Sequence, residues 1–403
     1  MRLFLLILAA INLMAQPYQC SPIGEQRLAA FLINGITTVE QARVTLLDNW
    51  NSLDAFYREA SHNKAWFTGD MLSVTIQIPS TCDLPVIAAR ADAAARAQGV
   101  NLDLYTRHIY IGAFPCQWAG LGALGCGMTT PGGTTYGSVW LKGLGAWNHE
   151  MGHSFGMAHA NTDLEYGDMT DAMGMGERPF NAPHRLQLGW LDTVQDVTAN
   201  GTYLVSPLEI ASFTPQVLRI QRSDGEQYYV SYRQPIGAHS VGYWPALTAG
   251  VSIHIWSPNV FWDPHPTRFV DTTPGSEYRF LDAPLSDGAT YSDTANGVTI
   301  TQLGHTPEFA AIAIHFGPSP PPPPPPPSEP VEISPTSATI TPKGSVQFTA
   351  NQDVTWSASW GSISISGLYK APGANRDTLV TVRATSTTNP ASTATSLVQI
   401  KRR

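Results

Sequence analysis

Eight consecutive prolines, Pro320 to Pro327, sit inside the run from Pro318-Ser319-Pro320 to Ser328-Glu329-Pro330 of this 403-residue chain. Proline has no N–H to donate and a fixed φ, so such a run can enter neither a helix interior nor a central strand. It adopts polyproline II, a stiff rod without internal hydrogen bonds, and acts as a spacer. A ligand for proline-binding domains is the other reading, and a linker suits a secreted chain better. The chain must therefore fold as separate parts, and its length allows two or three domains. Hydrophobic residues, at 43%, are enough for globular cores. Charged residues are only 13%, beside 34 Gly and 32 Pro, which suits an extracellular protein of strands and loops rather than a helical cytosolic enzyme. Net charge is −8 and no basic cluster exceeds the final Lys401-Arg402-Arg403. A phosphate backbone would meet repulsion, so no nucleic-acid partner is expected.

The first residues point to the compartment. Arg2, the apolar run Leu3 to Leu13 broken only by Asn12, and the small Ala15 read as a secretory signal peptide over 1–15. The run is too short for a membrane anchor, which needs about 20 apolar residues, and no later segment is expected to span a membrane. Four cysteines follow, Cys20, Cys82, Cys116 and Cys126. In a secreted chain they suggest two disulfides with three pairings open. Cys116 and Cys126 are close and flank a glycine-rich loop, so that pair is favoured, leaving Cys82 with Cys20 or with no partner.

Residues 16–41 form a short N-terminal or pro segment. From 42 to 195 helix and strand signals alternate: Arg43 to Leu47 as strand, Ser52 to Ala60 as helix, Leu72 to Ile78 as strand, Ala88 to Gln98 as helix, Leu104 to Ile111 as strand. That alternation predicts a layered arrangement of helices on a sheet. From 196 to 317 the pattern changes to short alternating segments, such as Tyr228 to Tyr232, Gly250 to Ile255, Val298 to Thr301 and Ala311 to Phe316. These predict a β-sandwich-like accessory domain. Beyond the linker at 318–330, residues 331–403 carry evenly spaced short strands and predict a small Greek-key sandwich.

The chemistry is concentrated in Trp147-Asn148-His149-Glu150-Met151-Gly152-His153-Ser154-Phe155-Gly156-Met157-Ala158-His159. Histidines four apart on a helix project from one face. Zinc accepts imidazole nitrogens in four-coordinate geometry, and a catalytic zinc keeps one position open. His149 and His153 would supply two ligands. Gly156 can take a left-handed conformation and end the helix, so that His159 swings back as the third. Glu150 would then serve as general base. A bare HExxH pair of histidines can be an ordinary amphipathic helix, but the added Gly and third His cut chance matches by roughly a thousandfold. His108 and His184 are expected to be ordinary core or surface residues.

HExxHxxGxxH is the metzincin signature. With Tyr166-Gly167-Asp168-Met169-Thr170-Asp171-Ala172-Met173-Gly174 and Phe180-Asn181-Ala182-Pro183-His184-Arg185-Leu186-Gln187-Leu188-Gly189-Trp190-Leu191, the chain resembles the gametolysin family of extracellular metallopeptidases over about residues 42 to 317. That resemblance implies an α+β metzincin-type catalytic domain, a Zn2+ cofactor, and Met173 as the turn methionine beneath the three imidazoles, with Met169 and Met175 as its competitors. It departs from some metzincins in having Met175, not tyrosine, two residues after that methionine, so no tyrosine ligand is assigned. No long inhibitory pro-domain is evident. Cys20 as a thiol that caps the zinc is one way to restrain activity. Asp163, Glu165, Asp168 and Asp171 would bind Ca2+, orient the histidines, or simply form a solvated acidic loop; Asp282, Asp287 and Asp293 carry the same ambiguity. The stretches Ile333-Ser334-Pro335, Val354-Thr355-Trp356, Gly367-Leu368-Tyr369 and Val380 to Ala384 resemble bacterial immunoglobulin-like repeats, which implies a spacer or surface-binding module.

The expected function is a secreted endopeptidase acting on extracellular proteins, with proline-rich matrix or wall glycoproteins as the class that the resemblance implies. The alternative is an adhesion protein, of cell surface or matrix, whose peptidase domain is secondary or inactive.

Overall fold

The computed structural model describes residues 20–257, 265–276, 279–317, 330–387 and 392–402. The expected signal peptide at 1–15 and nearly all of the linker lie outside them. The chain divides into two compact units, 1–319 and 320–403.

The first unit opens with strand β1, Gly24–Ile33. Its apolar run is buried on both faces from Leu28 onward, as in a parallel sheet covered on both sides. Beside it lie β2 (Ala65–Val74) and β3 (Arg107–Ile111), both parallel to it, and β6 (Thr135–Leu141) runs parallel to β3. At the end of this sheet β4 (Gly120–Gly122) pairs antiparallel with β6, as does the two-residue β5 (Met128–Thr129). Residues 24–33 are thus an inner strand of the sheet rather than part of a separable pro segment at 16–41.

Helices cover both faces. α3 (Leu84–Ala97) sets Ile87, Ala88, Ala91 and Ala95 against Ala29, Phe31, Tyr110 and Trp140. On the other face α2 (Leu53–Ala60) and α4 (Trp147–Ser154) bring Phe56, Tyr57 and Met151 onto Leu28, Leu32, Ile109 and Val139. Residues 43–47, expected as a strand, are helical instead: α1 (Val39–Arg43) runs into a π-helical turn at Val44–Asp48. A capping box decides this, with the Thr38 side chain accepting from the Gln41 N–H and Gln41 reaching back to the Thr38 N–H. That pair starts the helix ahead of the alternating residues. Of the expected strand at 72–78, only 72–74 are strand, as the end of β2, which starts earlier, at Ala65; 75–78 lie beyond it in irregular chain.

The rest of the unit is two packed sheets. One has the order β7 (Ala160–Asn161), β13 (Thr267–Phe269), β12 (Val251–Trp256), β11 (Gln227–Tyr232), β10 (Val217–Gln221), β8 (Val194–Val197). The other has β14 (Thr290–Asp293), β15 (Val298–His305), β16 (Ala310–Phe316), β9 (Gly201–Val205). Their inner faces meet through Ile220, Val230, Ile253, Ile300 and Ile312. The outer face of the first sheet, with Val217, Tyr229 and Trp256, packs on Ala182 of α5 (Ala182–Gln187) and on Leu191. A short helix α6 (Pro245–Ala249) leads into β12. No break in packing falls at 195/196. β7, from beside the histidine motif, pairs with β13, and Arg233 donates to the Phe180 carbonyl at 2.7 Å. The two regions expected on either side of that position share one compact unit.

The cysteines pair as Cys20–Cys126 and Cys82–Cys116. The favoured Cys116–Cys126 bond is therefore wrong. β4 runs out along β6 between these two residues, so each meets a different element: Cys116 the chain just before α3, Cys126 the chain just before β1. Cys20 is not a free thiol and caps no metal.

In the second unit β18 (Ser337–Ile340), β25 (Thr393–Ile400), β24 (Thr378–Ser386) and β21 (Val354–Ala358) form one sheet. β19 (Ser345–Gln347), β23 (Leu368–Lys370) and β22 (Ser362–Ile363) form a second, and β17 (Ile333–Ser334) pairs with β20 (Thr349–Ala350). Phe348, Tyr369, Val380, Val382 and Val398 make the core, and Trp356 packs against it half-buried.

Candidate metal centre

Helix α4 begins without a side-chain cap at Ala146, whose φ of 56° is left-handed. It ends sharply. Gly156 has φ 93°, its N–H donates to the His153 carbonyl at 2.7 Å, and the Met157 N–H donates to the Gly152 carbonyl at 3.2 Å. This paired pattern is the Schellman ending that only a residue free of a Cβ adopts without cost. It turns the chain so that His159 comes back toward the helix.

The three imidazoles then face one point. Ring centroids are separated by 4.8 Å (His149–His153), 4.9 Å (His153–His159) and 5.6 Å (His149–His159). One ring nitrogen from each lies within 4.8 Å of the other two. Each Nδ1 is already engaged: His149 with the Ala172 carbonyl at 2.7 Å, His153 with the Met157 carbonyl at 2.8 Å, His159 with Glu165 Oε1 at 2.9 Å. Carbonyl and carboxylate oxygens only accept, so each Nδ1 carries the proton and each Nε2 keeps a free lone pair. Burial holds His149 below the usual imidazole range and pushes His153 down to about 4, so both are neutral at pH 7. Three imidazoles whose Nδ1 atoms are engaged and whose Nε2 atoms face one point fit a zinc ion with one position left open.

Glu150 is 8% exposed, and burial pushes its carboxyl up to about 7, partly offset by a hydrogen bond from the Gly122 N–H. That places its protonation change where a general base works best at neutral pH. Strand β4 runs directly over it. A Cβ on Gly120 would lie 2.6 Å from Glu150 Cγ, and one on Gly122 would lie 2.7 Å from His153 Cβ.

Beneath the histidines, Met173 is fully buried, and its sulfur occupies the space that a Cβ on Gly152 would need. Met169 and Met175 are 44% and 73% exposed, so neither forms this floor. Asp171 holds the turn, accepting from the Met173 N–H at 2.6 Å, the Asn181 N–H at 2.7 Å and His184 Nδ1 at 2.8 Å. Asp168 accepts from Thr170 N–H and Oγ1, both at 2.7 Å, and from His254 Nε2 at 3.1 Å. Burial would raise its carboxyl, but the His254 and Thr170 bonds hold it below the usual range. These two carboxylates are engaged by donors within the turn, and among the described residues the triad is the one group of three or more potential ligands gathered about a point. Of the four acidic residues only Glu165 touches a histidine of the triad. Asp282, Asp287 and Asp293 are likewise bonded to Ser276, to Gln302 and His305, and to Tyr228 and Asn296. His184 and His108 are both buried, away from the triad's hydrogen bonds.

Sequence reasoning did not find the glycines of β4 or Tyr166. The Tyr166 ring centroid is 4.0 Å from that of His159. The only signal for Tyr166 was its place in the YGD stretch, and the glycines had none.

The stretch that builds this centre also carries the similarity to known proteins. Residues 33–219 match the family model described as Gametolysin peptidase M11, from the last residue of β1 into β10. None of the curated proteins matches the chain. Through residues 33–219 the chain carries a peptidase region of the gametolysin M11 family, a family of metallopeptidases.

Proposed function

We propose that the protein is a secreted, zinc-dependent endopeptidase of the metzincin type that cuts extracellular matrix or cell-wall proteins, proline-rich ones among them. The observation that carries the catalytic part is the set of three Nε2 atoms freed by their Nδ1 bonds, with the buried Glu150 beside them. His149, His153 and His159 would hold the ion. A zinc ion there supplies a Lewis acid that acidifies water and polarises a carbonyl. Glu150 takes the proton from the attacking water and delivers it to the leaving amine nitrogen. Among the described residues β4 pairs as a strand only with β6, and on its other edge the Gly122 N–H donates to Glu150, so an extended peptide laid along that edge would run past Glu150. Two disulfides support an oxidising compartment, and no helix among the described residues is long and apolar enough to cross a membrane. Substrate class rests on the family resemblance.

Purified full-length protein should hold one zinc and cleave a general protein substrate such as casein. A chelator should abolish cleavage, and Glu150→Ala should abolish it while zinc remains. Full cleavage by Glu150→Ala would overturn the mechanism.

A second reading is favoured by one observation, the separate compact unit behind the proline run. Its immunoglobulin-like module would bind a wall or matrix surface and raise the local concentration of insoluble substrate. Deleting 318–403 should remove surface binding and leave cleavage of soluble substrate intact. Unchanged binding by the truncated protein would remove this reading.

A further inference from the structure

We propose that Tyr166 is a positioning residue for the third metal ligand, its ring packing at a tilt against His159 and holding that ring in the orientation the metal site requires. This rests on the metal-centre reading above. His149 and His153 stand on a helix, and their Nδ1 atoms are tied to backbone carbonyls, which cannot rotate away. His159 lies beyond the helix, and its Nδ1 partner is the side chain of Glu165, which is 65% exposed and free to swing into water. A second restraint is needed on that ring, and Tyr166 provides it. Its centroid is 4.0 Å from the His159 ring, with 41° between the planes, and 5.8 Å from the His149 ring.

The backbone is strained to achieve this. Tyr166 has φ 62°, a left-handed conformation that bulky residues rarely adopt. It is held there by Asn161 Oδ1, which accepts the Tyr166 N–H at 3.0 Å. The following Gly167 turns so tightly that a Cβ would overlap Thr162 Oγ1 and sit 3.0 Å from the Leu164 carbonyl oxygen. Residues 159–167 therefore fold back on themselves, and Glu165 and Tyr166 both land on the His159 ring. The contact is between the two rings, so the proposed role needs the aromatic ring of Tyr166 rather than its hydroxyl.

The test is zinc affinity of the full chain, measured by competition with a chromophoric chelator, beside the melting temperature of the metal-free protein. Tyr166→Gly should weaken zinc binding by about 10- to 100-fold, the range for partners that orient a ligand. The metal-free melting temperature should not fall, because glycine relieves the left-handed strain. Tyr166→Phe should keep wild-type zinc affinity. Wild-type affinity in Tyr166→Gly would overturn the proposal, as would equal losses in Phe and Gly. If the wild type itself takes up no zinc, or His149→Ala binds it unchanged, the metal-centre reading fails as well.

Discussion

Gly122 passes so close to Glu150 that a single added carbon would overlap the Glu150 carbonyl oxygen and sit 2.7 Å from His153 Cβ. The edge strand of the sheet and the helix bearing Glu150 are thus fitted together at backbone distance. Neither element can move without moving the other.

Gly122→Ala should therefore push β4 away from α4 and spoil the alignment of any peptide paired along it. A displacement near 1 Å at a catalytic centre costs on the order of 100-fold in rate. The expected result is a fall of that size in kcat/KM, with zinc content measured on the same sample because the added carbon also presses on His153. Wild-type kcat/KM in this variant would show that β4 plays no part in catalysis.

The same strand is tied down on either side. Cys116 precedes it and Cys126 follows it, and they bond to Cys82 and Cys20 respectively. Each disulfide closes a long loop, with sequence separations of 34 and 106 residues. Replacing either pair by serines should destabilise the first unit by about 2–5 kcal/mol. Because β4 is also loosened, activity should drop at temperatures where the variant is still folded. Denaturant melts and kcat/KM on the same samples would show whether the two effects separate.

Asp171 is a fully buried carboxylate that accepts from two backbone N–H groups and His184. Asp171→Ala leaves those donors unpaired, which should cost about 3–5 kcal/mol and release the turn that carries Met173. Met173→Ala should cost about 2–5 kcal/mol through the cavity beneath α4. Met173→Leu, nearly equal in volume, should cost less than about 1.5 kcal/mol. Chemical denaturation of the metal-free variants would check all three.

Burial pushes His108 down to about 3, with the nearby Arg96 charge acting in the same direction. Its ring stacks on Tyr136 at 3.8 Å, and Asp92 lies 3.8 Å from its Nδ1. That acid contact is no ion pair at neutral pH, because the imidazole stays uncharged. Between about pH 6.5 and 3 the unfolded chain binds a proton here that the folded chain refuses. Stability attributable to His108 is therefore intact above 6.5 and is lost as pH falls, by up to about 1.4 kcal/mol per pH unit. His108→Phe should flatten the acid limb of the stability profile, read from denaturant midpoints at a series of pH values. An unchanged acid limb would show that this ring is not the proton acceptor.

What the sequence determined by itself is local. Two histidines four residues apart must share a helix face, and Gly156 must end that helix, because both follow from backbone geometry within thirteen residues. Met173 could be singled out from its neighbours only through the family resemblance, and burial then separated it from Met169 and Met175. The helical start at Thr38 was also written in the chain, as a capping box, but the alternating residues after it read as strand. Tertiary structure decided everything that depended on which distant segments became neighbours. It placed Gly24–Ile33 inside the sheet, sent Cys116 and Cys126 to different partners, laid two glycines over Glu150 and set Tyr166 on His159. Those outcomes depend on strand order and register, which are settled by how whole faces bury against one another, and no stretch of sequence read alone contains its partner.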